Sequence, residues 1–349
     1  MKKEIKGQGA VNNIHNHFEK NRYEKSIYDD DFEGETVKTQ VQTIFPKTIV
    51  NPVKSPDLSM AYSMKPYQGC ENGCAYCYAR PTHEYWGYSA GVDFERMILA
   101  KKNAPELLEK FFQKRGYKPE TIMLSGNTDC YQPVERKLQI TRSLLQVCLD
   151  YRHPVSILTK NALVTRDLDI LTKLAEKNLV TVSFSIPTIN EDLRRRLEPR
   201  TSSAKTKLQA LETISQSGIP THVMIAPMIP GLNTMEILPI VKTVAEKGAL
   251  GFGYTLVRLN DTVEPVFIEW LEEHYPERKE KVLNQIASLH GGKLGEKSVA
   301  RRKIGEGNMA EMIHNTFKIA RLKYFNDKEM KPLATHLFDG TKGEQLRLF

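Results

Sequence analysis

Apolar positions along this chain follow two alternating rhythms. Short runs of aliphatic and β-branched residues predict strands over Leu58–Tyr67, Thr121–Ser125, Pro154–Thr159, Val180–Ile186, His222–Met228 and Gly251–Leu259. Between them, apolar residues recur every three or four positions and predict helices over Arg96–Gly116, Glu135–Tyr151, Asp167–Lys177, Ala204–Ser217 and Thr234–Lys247. Leu107, Leu108, Phe111 and Phe112 share one face of the first helix, and Gly218 and Gly248 stop the last two. Strands alternating with helices of this length imply right-handed βαβ units and a parallel sheet.

Six such units suit an open, partial (β/α)6 barrel better than a closed one of eight. A doubly wound sheet is the alternative that periodicity leaves open. In either α/β fold the chemistry belongs in the loops that follow the strands. The expected organisation is an N-terminal arm (1–55), the barrel (56–260), a helical extension (261–325) and a C-terminal tail (326–349). The arm is polar, holds Asp29-Asp30-Asp31, and predicts a short strand near Val37–Phe45. The extension predicts helices over Phe267–Tyr275, Arg278–Leu289 and Met309–Tyr324.

Strand parity predicts which side chains meet the barrel lumen. In Val180–Ile186 the bulky Val180, Val182, Phe184 and Ile186 share one face and should meet helices. Thr181, Ser183 and Ser185 share the other face, where small side chains fit a crowded lumen and hydroxyls suit a ribose or a carboxylate.

The chain has 349 residues, 40% hydrophobic and 26% charged, which is ordinary for a soluble globular protein. Its first twenty residues are polar, and no apolar run approaches a membrane span, since Lys242 breaks Ile237–Ala245. The expectation is a cytoplasmic protein with no membrane partner. A net charge of +8 favours an acidic partner such as nucleic acid, or reflects a merely solvated surface. Lys293, Lys297, Arg301, Arg302 and Lys303 crowd a Gly-containing connection that suits phosphate contacts, or is a solvated linker. Tyr85, Trp86 and Tyr88 suit stacking on a base, or packing under the first helix.

Five cysteines are present, and Cys70, Cys74 and Cys77 crowd into one Gly-containing loop. An odd number argues against a disulfide framework. Three thiolates at C-x3-C-x2-C can wrap one face of an iron–sulfur cube and leave one iron open to a ligand. Gly69 and Gly73 let the backbone fold tightly around such a core. The rival reading takes His83 as a fourth ligand to zinc, in a non-catalytic nucleic-acid-binding module.

The C-x3-C-x2-C loop, with Tyr76 before its third cysteine, resembles the radical S-adenosylmethionine (SAM) signature, and it follows a predicted first barrel strand. The wider stretch, with Ala79-Arg80-Pro81-Thr82-His83 and Ser125–Pro133, resembles the branch related to spore photoproduct lyase. Lys6-Gly-Gln-Gly-Ala10 and Gln345–Phe349 are similar to a bacterial subgroup of that branch.

That resemblance implies a [4Fe–4S] cluster on Cys70, Cys74 and Cys77, and SAM as co-substrate. It implies reductive cleavage of SAM to a 5′-deoxyadenosyl radical, with a reducing protein as electron donor. It places ribose contacts on the strand of Ser183 and Ser185. Lys160, at the end of the third strand, can then meet the SAM carboxylate or ribose, or is a solvated strand-end lysine; Arg200 can pair with the carboxylate, or with Glu198. Where the superfamily often has a Gly-Gly-Glu-like segment, this chain reads Ser125-Gly126-Asn127-Thr128-Asp129. Ser125, Asn127 and Asp129 are therefore the candidates for the SAM amino group. Cys130 is a candidate hydrogen-atom donor, with an inert thiol as the alternative. Cys148, beside Leu144, Leu145 and Leu149, reads as core. The branch implies a DNA-repair lyase; modification of RNA, protein or a small molecule is the alternative. Gln345-Leu-Arg-Leu-Phe349 resembles a peptide that docks on the sliding clamp, through three apolar anchors and a glutamine.

Overall fold

The computed structural model describes residues 9–10, 12–14, 39–58 and 60–343. Its strands are β1 (Gln40–Ile44), β2 (Val50–Pro52), β3 (Tyr62–Met64), β4 (Tyr67–Gln68), β5 (Met97–Lys101), β6 (Ile122–Leu124), β7 (Val155–Thr159), β8 (Val180–Ser185), β9 (Thr221–Met228) and β10 (Gly251–Leu256).

The main sheet has seven strands in the order β10-β9-β8-β7-β6-β3-β2. All neighbours are parallel except β2, which pairs antiparallel with β3. The six parallel strands follow chain order, with no point at which the order reverses. That sequential order is the topology of a barrel rather than of a doubly wound sheet. β10 and β2 stand at opposite ends of the strand order, so the barrel is partial and open.

Parity divides the sheet into two faces. Val180, Val182, Phe184 and Ile186 join the main core with Val155, Ile157, Val223 and Ile225, and all of these are buried. Helices including Ile140–Asp150, Leu168–Ala175, Ala204–Gln216 and Ile237–Glu246 cover this face with Leu144, Leu171, Leu211 and Ile240. On the other face Ser63, Met123, Ser156, Leu158, His222 and Met224 stay partly exposed. The lumen is thus lined by small, polar and flexible side chains while the outer face makes the core.

A second sheet of three strands, ordered β1-β5-β4, departs from expectation. The predicted helix Arg96–Gly116 is helical at Arg96, where Val92–Arg96 ends, and over Ala104–Phe112. Met97–Lys101 instead forms β5, parallel to β1 and antiparallel to β4. Its buried Ile98-Leu99-Ala100 run is apolar on both faces, which a sandwiched strand needs and an amphipathic helix does not. Pro105 opens the helix that follows. The predicted helix Glu135–Tyr151 breaks into Glu135–Leu138 and Ile140–Asp150, because Gln139 takes φ +52°.

The Gly-containing basic connection is a tie. Arg302 donates from Nε to Asp57 at 2.8 Å, and Nη2 also contacts Asp57 and Ser55. Lys303 lies 3.5 Å from the same carboxylate. The Leu256 amide donates to the Lys303 carbonyl at 3.0 Å. The segment therefore joins the last barrel strand to the turn between β2 and β3. Lys297 pairs with Asp261, and Arg301 with Glu296 and Glu306, so these cations carry carboxylate partners. The helix Gly307–Tyr324 packs on Ile237–Glu246. Beyond it, the Ala334 amide donates to Asn178 and the Asp339 amide to Tyr151.

Candidate active site

The cysteine loop leaves β4 and is held from several sides. Gly69 and Gly73 take φ +78° and +65°, the left-handed region that a side chain would strain. The Cys70 amide donates to Phe94, the Ala75 amide to Leu197 at 3.1 Å, and the Arg200 amide to Asn72. The chain after the helix Glu191–Leu197 thus lies against the loop. Asn190 caps that helix by accepting from the amides of Asp192 and Leu193.

Cys70 and Cys74 are buried and Cys77 is partly exposed. Burial pushes all three thiols above the ordinary range. They give up their protons when something positive takes the thiolates. Three free thiols on one loop are a donor set that suits three corners of an iron–sulfur cube. His83 stacks on Tyr88 and meets Phe94 edge-on.

Beside the loop sits a buried charge node. Glu198 is fully buried and takes Lys160 at 2.8 Å on one oxygen and Lys207 at 3.1 Å on the other. The Tyr76 hydroxyl donates to the same carboxylate. Burial works to raise the Glu198 pKa, but the two lysines prevail and hold it down at about 2. For Lys160, burial opposes the charge and Glu198 more than restores it. Lys160 also donates to Ser185 at 2.6 Å, and its ammonium lies 5.5 Å from the Tyr76 ring centroid. The structure therefore brings Lys160, Ser185 and Tyr76 together beside the cysteine loop.

Glu198 and Lys207 did not stand out in the sequence, although one signal was there. Lys207 occupies a core position of its helix, between Ala204 and Leu211, where a lysine demands a buried partner. Arg200 is not the partner of Glu198; its guanidinium donates to Thr39 at 3.3 Å. The two lysines saturate the carboxylate first.

Asp129 is a second node. It accepts from Thr159, Tyr131, Asn72, Asn161 and the Lys160 amide, at 2.7–3.1 Å. Ser125, at φ +106°, donates to the Thr128 carbonyl and accepts from the Cys130 amide. Both side chains are engaged in holding the loop after β6 against the cysteine loop. Asn127 is partly exposed in that same loop. Ser183 lies on the lumen face of β8, opposite His222. Cys130 is fully buried within the main core, its sulfur 4.0 Å from the Leu124 carbonyl, and burial raises its thiol far above the ordinary range. Cys148 is core as expected. Tyr85 and Trp86 are exposed rather than packed under a helix. Gln345–Phe349 lies outside the described residues.

A family model described as the radical SAM superfamily matches residues 64–244, just over half of the chain. An uncharacterized protein of Methanocaldococcus jannaschii is 30% identical, over 72% of this chain and 89% of that protein. An uncharacterized protein of Mycobacterium bovis is 31% identical over 63% of this chain; the match spans 65% of the relative's length. Among solved structures, spore photoproduct lyase complexed with dinucleoside spore photoproduct superposes with a TM-score of 0.62 at 16% identity, over 86% of this chain and 85% of that one. A mutant of that lyase with bound AdoMet and dinucleoside spore photoproduct gives 0.59 at 16% identity, over 82% and 79%. These likenesses establish a shared fold. No helix among the described residues is long and apolar enough to cross a membrane.

Proposed function

The chain belongs to the radical SAM superfamily, and from that premise we propose that it is a SAM-cleaving lyase acting on damaged DNA. The cofactors are a [4Fe–4S] cluster and SAM. When bound, the pair supplies one-electron cleavage of SAM and the radical chemistry that follows. One observation carries the reading: the three-cysteine loop lies at the barrel's functional rim, directly against the Lys160–Glu198–Tyr76 node.

In this reading Cys70, Cys74 and Cys77 hold three irons. Lys160, kept cationic by Glu198, meets the SAM carboxylate, with Ser185 as its relay to the strand. Ser183 faces the ribose, and Asn127 serves the amino group. Asp129 and Ser125 position the two loops, since their hydrogen-bonding capacity is already engaged. Arg200 braces the cysteine loop through its amide on Asn72. Cys130 is a structural thiol. In this reading Trp86, exposed just past the cysteine loop, stacks on a base, with Tyr85 beside it. A lyase acting on DNA is supported by the fold shared with spore photoproduct lyase, whose solved complexes hold a dinucleoside photoproduct. A reducing protein supplies the electron, and the terminal Gln345–Phe349 docks the enzyme on a sliding clamp.

The test is anaerobic reconstitution with iron and sulfide, then dithionite and SAM, with and without oligonucleotides carrying dimeric pyrimidine lesions. Wild type should release 5′-deoxyadenosine and Cys74→Ala should release none. Lesion loss that tracks wild-type activity supports the lyase. Deoxyadenosine with no effect on any lesion would end the DNA reading and leave RNA, protein or a small molecule as substrate. Zinc retained with no deoxyadenosine would end the enzyme reading.

A further inference from the structure

Arg80 and Glu95 form a fully buried ion pair beneath the cysteine loop, with 2.5 Å between Nη2 and Oε1. A guanidinium has five N–H donors. Those of Arg80 go to the Cys74 carbonyl from Nε and Nη2, to the carbonyls of Ala90 and Gly91 from Nη1, and to Glu95. Arg80 therefore has no donor left for a ligand, and its effect is to fix the Cys74 turn. Glu95 accepts from Arg80 and, among the described residues, from the amides of Gly9 at 3.1 Å and Ala10 at 2.8 Å. Those amides come from the far N-terminus.

Further contacts hold this strap in place. A side chain on Gly9 would put Cβ 1.6 Å from the Gly73 carbonyl oxygen, so the strap lies directly on the loop between Cys70 and Cys74. Ile14 and Ser89 exchange two hydrogen bonds, as do Asn13 and Asp93. Ala10 and Ile14 pack with Val92 and Val266.

We infer that Gly9 and Ala10 form a strap that locks the Cys74 turn through Glu95 and Arg80, and that these four are positioning residues for the group the cysteines hold. This rests on the reading that Cys70, Cys74 and Cys77 are its ligands. The physical reason is that a buried carboxylate that loses the Gly9 and Ala10 amides no longer fixes its arginine. Local opening of the loop then becomes easier without global unfolding. Gly9 is required at its position because any Cβ collides with backbone rather than with a side chain that can move.

The test labels the metal-free full-length protein with a maleimide and follows each cysteine by mass spectrometry. It compares wild type with Gly9→Ala, Glu95→Gln and a deletion of residues 1–14. Cys74 should react about tenfold faster or more in each variant, while Cys130 and Cys148 in the core keep their wild-type rates. A synthetic peptide of residues 1–14 should restore protection to the deletion variant. In reconstituted protein, the cluster absorbance of the same variants should bleach faster in air. Unchanged Cys74 labelling in folded Gly9→Ala and deletion variants would overturn the strap. Equal acceleration at all five cysteines, the mark of global unfolding, would overturn its local role. Labelling needs no turnover, so its outcome is independent of whether wild type makes 5′-deoxyadenosine.

Discussion

Glu198 and Asp57 each sit between two cations, and burial makes them different devices. Glu198 lies fully inside, between Lys160 and Lys207, with Tyr76 as a third donor. Asp57 lies near the surface, between Arg302 and Lys303. The same stoichiometry gives a rigid node in one place and a tie in the other. Inside, neither charge can be left alone, because water cannot replace the lost partner. Outside, water and salt ions stand ready to substitute, so the tie can exchange partners.

The largest effect should come from removing the inner carboxylate. Glu198→Ala strands two buried ammonium groups and should lower unfolding stability by about 3–5 kcal/mol in urea titrations. A loss under about 1 kcal/mol would mean that the node is hydrated and behaves like the outer tie. Acid should reveal the same node. Its folded pKa of about 2 lies below the ordinary 4.5, so the stability it contributes is complete above pH 4.5. That contribution is lost as pH falls through that value toward 2. A flat stability profile across that window would count against the two lysines as the cause.

A smaller effect separates the two lysines. Lys207 is fully enclosed, whereas the Lys160 side chain keeps 18% of its surface. Lys207→Met should mainly cost stability. Lys160→Met should leave the fold closer to wild type yet lower SAM cleavage by about tenfold or more, through lost carboxylate binding. Equal stability losses with unchanged SAM affinity would make Lys160 purely structural.

The smallest effect belongs to the outer tie. Asp57→Asn should speed amide exchange at Leu256 severalfold with little change in unfolding midpoint. High salt should do the same to wild type. Salt-insensitive exchange at Leu256 would show that apolar packing, not the ion pairs, holds that segment.

What the chain betrays in advance follows from the range of each interaction. Five of the six barrel strands were legible because alternation is local, and Val180–Ser185 displays it without interruption; the first prediction, Leu58–Tyr67, ran the barrel strand Tyr62–Met64 together with Tyr67 of the second sheet. The cysteine loop was legible because its ligand atoms are supplied within a few residues. β5 was not, since Met97–Lys101 runs straight into the apolar stripe of Ala104–Phe112 and lends itself to helical reading. The Arg80–Glu95–Gly9 lock and the Glu198–Lys207 pair were missed for another reason. Their partners meet only after the chain has folded, across as many as 86 positions for Gly9 and Glu95. The basic connection could be read as a phosphate contact or as a linker, because charge shows in a sequence, whereas the pairing of Arg302 and Lys303 with Asp57 does not.

The division of β8 into two faces has a consequence for inheritance. A mutation at Val182 or Phe184 meets the core directly, so it should tax the amount of folded protein in a cell. One at Ser183 meets the lumen instead, where a substitution by another small residue should leave that amount closer to wild type. Adjacent codons would thus lie under separate selective pressures, one for abundance and one for chemistry. In a saturation library the strand would read as a barcode, with expression scores and activity scores failing at alternating positions.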